Sequence, residues 1–143
     1  MLYDAADEPG TLSPRQLHDA YETELRSVID AHGVDTVASE AGVSAETIET
    51  LLDGGSPSLT LSEAAAILAV DGDGRDAEAI VQEVRDHLLM AMATGVVDVD
   101  TIASNVDLDL SGQEIQQAIE GRIPMTLTEL AAIHNYIAGR NAR

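Results

Sequence analysis

The feature that most constrains this 143-residue chain is an internal repeat. Residues 34–39 recur as residues 99–104, a shift of 65 positions, and residues 60–67 recur as residues 126–133, a shift of 66. Two blocks in the same order and at nearly the same shift indicate that one supersecondary unit was duplicated. We therefore predict an N-terminal extension at 1–12, a first helical repeat at 13–70, a linker at 71–75, a second repeat at 76–138 and a C-terminal tail at 139–143.

Each half begins with the pattern of a long amphipathic helix. In the first half, Ser13 is a predicted N-cap, Gln16 completes a capping box and Gly33 ends the helix. The matching helix of the second half is predicted from Asp76 to Thr94, with Gly95 at its end. Apolar residues recur at helical spacing along both, which predicts the buried positions Leu17, Tyr21, Leu25, Val28 and Ile29, and then Ile80, Val81, Val84, Leu88 and Met92.

Three shorter helices are predicted after each long one. We expect Asp35 and Asp100 to cap the second helix of each half, over 36–41 and 101–106. Ser44 and Ser111 are the predicted caps of the third helices, and capping boxes open the fourth helices at Thr60 with Glu63 and at Thr126 with Glu129.

The predicted fold is all-α: two tandem four-helix repeats, helix-turn-helix-like, packed into one compact body. No segment of useful length alternates between polar and apolar residues with a period of two, so we expect no sheet. We also expect the two long helices to pack on each other and to relate the halves by a pseudo-twofold axis.

Residues 37–70 resemble the phage repressor and Cro class of helix-turn-helix domains. The resemblance depends on Ala38, on Gly42 at the turn, and on Val43 and Ile48 between the two helices. It implies that the second helix of the motif reads bases in the major groove of DNA. The second half departs from this pattern, because residues 105–110 replace the short turn with a longer one.

The whole chain resembles a small haloarchaeal family that contains a domain of unknown function. Residues 1–6 (MLYDAA), 118–127 (AIEGRIPMTL) and 137–140 (IAGR) carry this second resemblance. It implies a cytoplasmic, halophilic origin and no particular activity.

The charge agrees with such an origin. The chain has 26 acidic residues against seven arginines and no lysine, which gives a net charge of −19. At about 1 M salt the Debye length is only about 3 Å, so repulsion among these charges would be largely screened. A basic partner is the alternative explanation of the acidity.

The absence of cysteine excludes disulfides and thiolate metal sites. No apolar run is long enough for a membrane span, and the first residues lack the features of a secretory signal, so we expect a cytoplasmic protein.

Two functions are compatible with this pattern, and we favour a non-catalytic regulatory or adaptor protein that binds a protein partner or a second copy of itself. The predicted helix over 76–94 is apolar on more than one face, which suggests either a shared spine between the halves or a helix buried in a partner. The residues predicted to form a protein interface are Leu89 and Met90. The alternative is a sequence-specific DNA-binding regulator that uses the second repeat, whose predicted contacts are Gln113, Gln116, Gln117, Arg122 and Arg140.

We predict no catalytic, cofactor-binding or metal site and no small-molecule substrate. The chain has no glycine-rich phosphate loop and no nucleophile motif. His18 with Glu22 and Glu83 with His87 each share a helix face, but a metal site would need further ligands from elsewhere. We interpret these residues as surface ion pairs, with His32 favoured at the negative end of its helix.

Overall fold

The computed structural model describes Leu2, residues 5–71 and residues 76–141. Within those residues the chain is all-helical, as predicted, and its only β-type pairing is an isolated bridge between Thr60 and Thr126. The linker residues 72–75 and the last two residues of the predicted tail lie outside the described part. The described part contains eight α-helices: α1 Pro14–His32, α2 Val34–Ala41, α3 Ala45–Leu52, α4 Leu61–Ala69, α5 Ala77–Gly95, α6 Val99–Asn105, α7 Gly112–Ile119 and α8 Leu127–Asn141.

Most helix starts follow from local hydrogen bonds that the sequence predicted. Ser13 and Gln16 form the predicted reciprocal capping box at the start of α1. The same arrangement opens α4 at Thr60, α7 at Ser111 and α8 at Thr126, while Asp76 caps α5. Each cap satisfies backbone N–H groups that have no partner inside the helix.

The predicted caps of α2 and α6 were wrong. α2 begins directly after Gly33, with no side-chain cap, and Asp35 lies in its first turn. α6 is capped by Asp98, whose carboxylate accepts a hydrogen bond from Thr101 N at 2.8 Å, so Asp100 also lies in the first turn. Gly33 permits the early start of α2 because its φ of +89° lets one residue end α1 and begin the next helix.

The central helix of the molecule is α8, and neither long helix forms the shared spine. α8 packs against α1, α4, α5 and α6 and against a 3-10 turn at Pro9–Thr11. It buries seven residues, whereas α5 buries only Ile80, Val84 and Leu88. The long helices α1 and α5 do not pack on one another as expected. Instead α1 packs on α8, and α5 packs on both α4 and α8. α8 contacts both long helices because it presents apolar and small residues on most of its sides.

The starts of α4 and α8 meet at the bridge between Thr60 and Thr126. Leu61 N donates to Met125 O at 2.7 Å, and Leu127 N donates to Leu59 O at 2.9 Å. Both partners come from a segment that precedes a helix, so these hydrogen bonds hold the two helix starts side by side.

The N-terminal segment is packed onto the same central helix. Leu2 is completely buried, and Asn135 of α8 donates hydrogen bonds to Pro9 O and Leu12 O. Gly10 lies so close to α8 that a Cβ placed on it would be 2.6 Å from Gly139 N. Leu2 and residues 9–12 therefore belong to the packed body.

Candidate functional site

An apolar surface at the end of α5 is exposed to solvent. Among the residues that the structure describes, the exposed large apolar side chains are Leu89 at 46%, Met90 at 73% and Val96 at 85% of their full accessible area. We call these three residues the α5 patch. Two of them, Leu89 and Met90, are the residues that the sequence predicted for a protein interface. Val96 belongs to the same apolar stretch of the sequence but was not among the predicted interface residues.

Val96 also has an unusual backbone conformation. Its φ of +52° and ψ of +53° are left-handed, and it is the only non-glycine residue with a positive φ in the described part of the chain. A β-branched residue in this conformation is strained. The turn lets Val97 N donate to Met92 O at 2.9 Å and directs the Val97 side chain into the core. The hydrogen bond and the burial of Val97 keep the turn in this conformation despite its strain, and Val96 is left facing solvent.

The stretch that contains the α5 patch carries no acidic residue, and the exposed Asp86 and Asp98 flank it. Residues 87–97 contain no Asp or Glu, and neither does the chain after Glu129. These two stretches meet, since Asn141 Nδ2 donates to Ala91 O at 3.1 Å and a Cβ on Gly95 would clash with Asn141 Oδ1. Carboxylates border the two stretches without lying in them: Asp86 and Asp98 flank the first, and Asp7 and Glu8 line a pocket with Ala91 and Asn141.

The residues predicted to contact DNA are divided between two helices. Gln113 and Gln116 are exposed on α7, Gln117 is half-buried, and Arg140 lies near the end of α8. The Arg122 guanidinium is paired with the Glu120 carboxylate of its own half at 3.7 Å. This pairing offsets part of the positive charge that a phosphate would need.

Two other arginines stabilise helix ends instead of forming a basic surface. Arg26 Nε of α1 donates to Leu51 O at 2.7 Å, at the end of α3. Arg85 Nε of α5 donates to Ile119 O at 2.8 Å, and its NH2 group donates to Glu120 O, at the end of α7. A positive charge interacts favourably with the carbonyl groups at the C-terminal end of a helix. Neither role was predictable from the sequence, because both contacts join residues from different helices.

Glu22 is buried, so its interpretation as part of a surface ion pair was wrong. Its side chain is 1% exposed. Glu22 Oε1 accepts a hydrogen bond from Ser56 Oγ at 3.0 Å and lies 3.6 Å from the Arg26 guanidinium and 3.7 Å from His18 Nδ1. Glu22 Oε2 is buried without a hydrogen-bond partner. The possible ligand atoms of His18, Asp19 and Glu22 lie within 4.8 Å of one another, but Arg26 already balances the buried carboxylate.

A buried histidine lies at the centre of the fold. His134 of α8 is 3% exposed, and its Nδ1 is 2.7 Å from the Tyr21 hydroxyl. The His87 ring contacts it edge-on, with ring centroids 5.6 Å apart. Burial, and then the charge of nearby His87, lowers the pKa of His134 to about 4. Burial also raises the pKa of the Tyr21 hydroxyl. No sequence signal indicated this pair.

Comparison with known proteins gives a family and no activity. A family of unknown function (DUF5791) matches residues 17–140, so the chain belongs to that family. Neither the curated proteins nor the solved structures include a match to it. None of the helices in the described part combines the length and the apolarity needed to cross a bilayer.

Proposed function

We propose that this DUF5791 member is a non-catalytic regulatory or adaptor protein of a halophilic cytoplasm, and that it binds a protein partner through the α5 patch. The observation that carries the proposal is the α5 patch itself. All of the exposed large apolar side chains in the described residues fall within eight positions of one helix end. Soluble proteins rarely leave such residues clustered at the surface without an interaction to cover them.

The charge distribution supports a protein partner at this place. Elsewhere on the chain acidic residues are frequent, and they repel other acidic macromolecules over a distance set by the salt concentration. The stretch 87–97 has no acidic residue, so a partner that covers Leu89, Met90 and Val96 buries no carboxylate of that stretch, and Asp86 and Asp98 lie at its edges. Met90 adds a flexible side chain that adapts to different apolar surfaces.

DNA binding through the second half is the rival function, and the arrangement of its residues disfavours it. Arg122 is paired with Glu120, Arg140 lies on a different helix from the glutamines, and Glu114 is held at the start of α7 by its capping box. Non-specific affinity for DNA comes mostly from unpaired cations that replace counterions on the phosphates.

The test is affinity capture at molar KCl from the cells that carry the protein, with and without DNase. Three forms of the protein are compared: wild type, Leu89→Gln with Met90→Gln, and Gln113→Ala with Gln116→Ala. We expect a protein partner that survives DNase, is retained by the α7 variant and is lost with the α5 variant. Capture that depends on DNA and fails only with the α7 variant would establish the rival function.

A further inference from the structure

A cavity lies between the start of α1, the link between α6 and α7, and α8. Its volume is about 590 Å³, which is within the usual range for small-molecule sites. Its apolar walls include Pro14 of α1, Val106 and Leu108 of the link between α6 and α7, and the ring of Tyr136 on α8. None of these residues belongs to the α5 patch, so occupation of the cavity does not depend on the proposed partner.

Val106 and Leu108 form a wall of the cavity because the link between the second and third helices is longer in the second half than in the first. Three residues, 42–44, join α2 to α3, whereas six residues, 106–111, join α6 to α7. Both Val106 and Leu108 are half-buried against the core. The longer link therefore adds a surface that the short turn of the first half has no residues to build.

The charged groups at the cavity are balanced. Among the described residues that line it, Arg15 is a cation and Asp107 is an anion, and His18 lies 3.7 Å from the Glu22 carboxylate. Glu22 lies behind His18, but Arg26 and Ser56 satisfy its Oε1 atom inside the fold. The start of α1 contributes the positive end of its helix dipole to the same side. This balance contrasts with the whole chain, which has 26 acidic residues and seven arginines.

We propose that this cavity binds a small organic carboxylate whose other end is an apolar ring or branched chain. The apolar part packs between Leu108 and Tyr136, and the carboxylate pairs with Arg15 at the rim. Arginine suits this role because its planar guanidinium donates two parallel hydrogen bonds to a carboxylate. Thr128 and Asn105 also line the cavity and supply polar atoms near its mouth.

The test measures binding of three matched probes to the full chain by calorimetry in one KCl buffer. Phenylacetate carries the carboxylate, phenylacetamide is its neutral isostere, and phenethylamine is a cation of similar shape. We expect phenylacetate to bind about ten-fold more tightly than the amide, the usual size of a charge-assisted contact. The amine should bind most weakly of the three.

Two pairs of variants locate the binding. Arg15→Gln should remove the preference for phenylacetate over the amide, whereas Arg140→Gln, at an exposed position on α8, should not. Thr128→Phe fills the cavity from an exposed position and should abolish binding of every probe. Ser62→Phe, at the corresponding exposed position of α4, is its matched control. Equal affinity for the three probes, no binding of any probe, or binding that survives Thr128→Phe would overturn the proposal.

Discussion

At the scale of single residues, two glycines define how the N-terminal segment reaches the core. Gly10 and Gly139 lie opposite each other where the segment crosses α8. The contact is asymmetric. A Cβ on Gly10 would lie 2.6 Å from the backbone N of Gly139, whereas a Cβ on Gly139 would be 3.5 Å from Gly10 O, an ordinary distance. Of the two positions, only position 10 therefore requires glycine.

We predict opposite effects for alanine at these two positions. Gly10→Ala should lower the free energy of unfolding by about 2 kcal/mol, because backbone must move on both sides. Gly139→Ala should leave it unchanged or raise it by up to about 1 kcal/mol, since alanine favours the helix. Denaturant titrations of both variants give the comparison. A Gly10→Ala protein as stable as wild type would contradict the close packing of the segment on α8.

The buried His134 predicts how stability depends on pH. Its pKa in the folded protein is about 4, below the ordinary value of 6.5, so the unfolded chain binds a proton more readily. The contribution of His134 to stability is complete above about pH 6.5 and is lost as the pH falls towards 4. The loss amounts to about 3 kcal/mol at the acid end.

A matched variant separates this effect from the titration of surface carboxylates. His134→Gln keeps a polar side chain beside the Tyr21 hydroxyl but does not titrate. We expect wild type to lose more stability than His134→Gln between pH 7 and pH 4.5, as measured by thermal melts of both proteins. Parallel losses would show that His134 is not held neutral in the folded state.

At the scale of the helices, the local capping pattern was predictable and the contacts between helices were not. The capping boxes at Ser13, Thr60, Ser111 and Thr126 depend on residues three positions apart, so the sequence alone indicated them. The predicted start of α6 was wrong because Asp98 and Asp100 are both suitable N-cap residues. Which of the two caps the helix depends on the path of the chain before α6.

Arg85 gives the sharpest test of a contact between helices. Arg85→Met should lower the free energy of unfolding by about 2 kcal/mol, because the carbonyl groups at the end of α7 lose charge-assisted hydrogen bonds in a half-buried position. Arg122→Met is the control, since Arg122 is 71% exposed and its ion pair should contribute less than about 1 kcal/mol. Equal losses in urea titrations of the two variants would contradict the role of Arg85.

At the scale of the whole molecule, the net charge of −19 predicts a dependence on salt. The screening length falls from about 30 Å at 0.01 M salt to about 3 Å at 1 M, so repulsion among the carboxylates weakens steeply. Burial of the core opposes this repulsion only modestly, since the large buried side chains of the described residues are mostly Leu and Ile, with Tyr21 the one phenol ring among them.

We therefore predict that the midpoint of thermal unfolding rises with KCl from low to molar concentration. Circular dichroism at 222 nm follows the loss of helix. A midpoint that stayed constant or fell over this range would remove the reason for a halophilic origin and favour a dedicated basic partner instead.

The sequence by itself determined the helical class and most helix boundaries, and it named Leu89 and Met90 as interface candidates. Helix formation and helix ends depend on the spacing of apolar residues and on hydrogen bonds between residues close in sequence, and these are the same however the helices pack. The tandem duplication and its pseudo-twofold axis stay predictions. The reciprocal bonds of Leu61 with Met125 and of Leu127 with Leu59 join positions that correspond in the repeat.

Only the tertiary structure decided which helix is central, that Glu22 and His134 are buried, and which arginines are used inside the fold. Several helices present similar apolar faces, so which helices contact each other depends on how the shapes of all these faces fit together. The burial of a polar side chain likewise depends on partners from distant parts of the chain. Glu22 accepts a hydrogen bond from Ser56, and His134 lies within hydrogen-bond distance of Tyr21, at sequence separations of 34 and 113 residues. No local pattern records contacts over such separations.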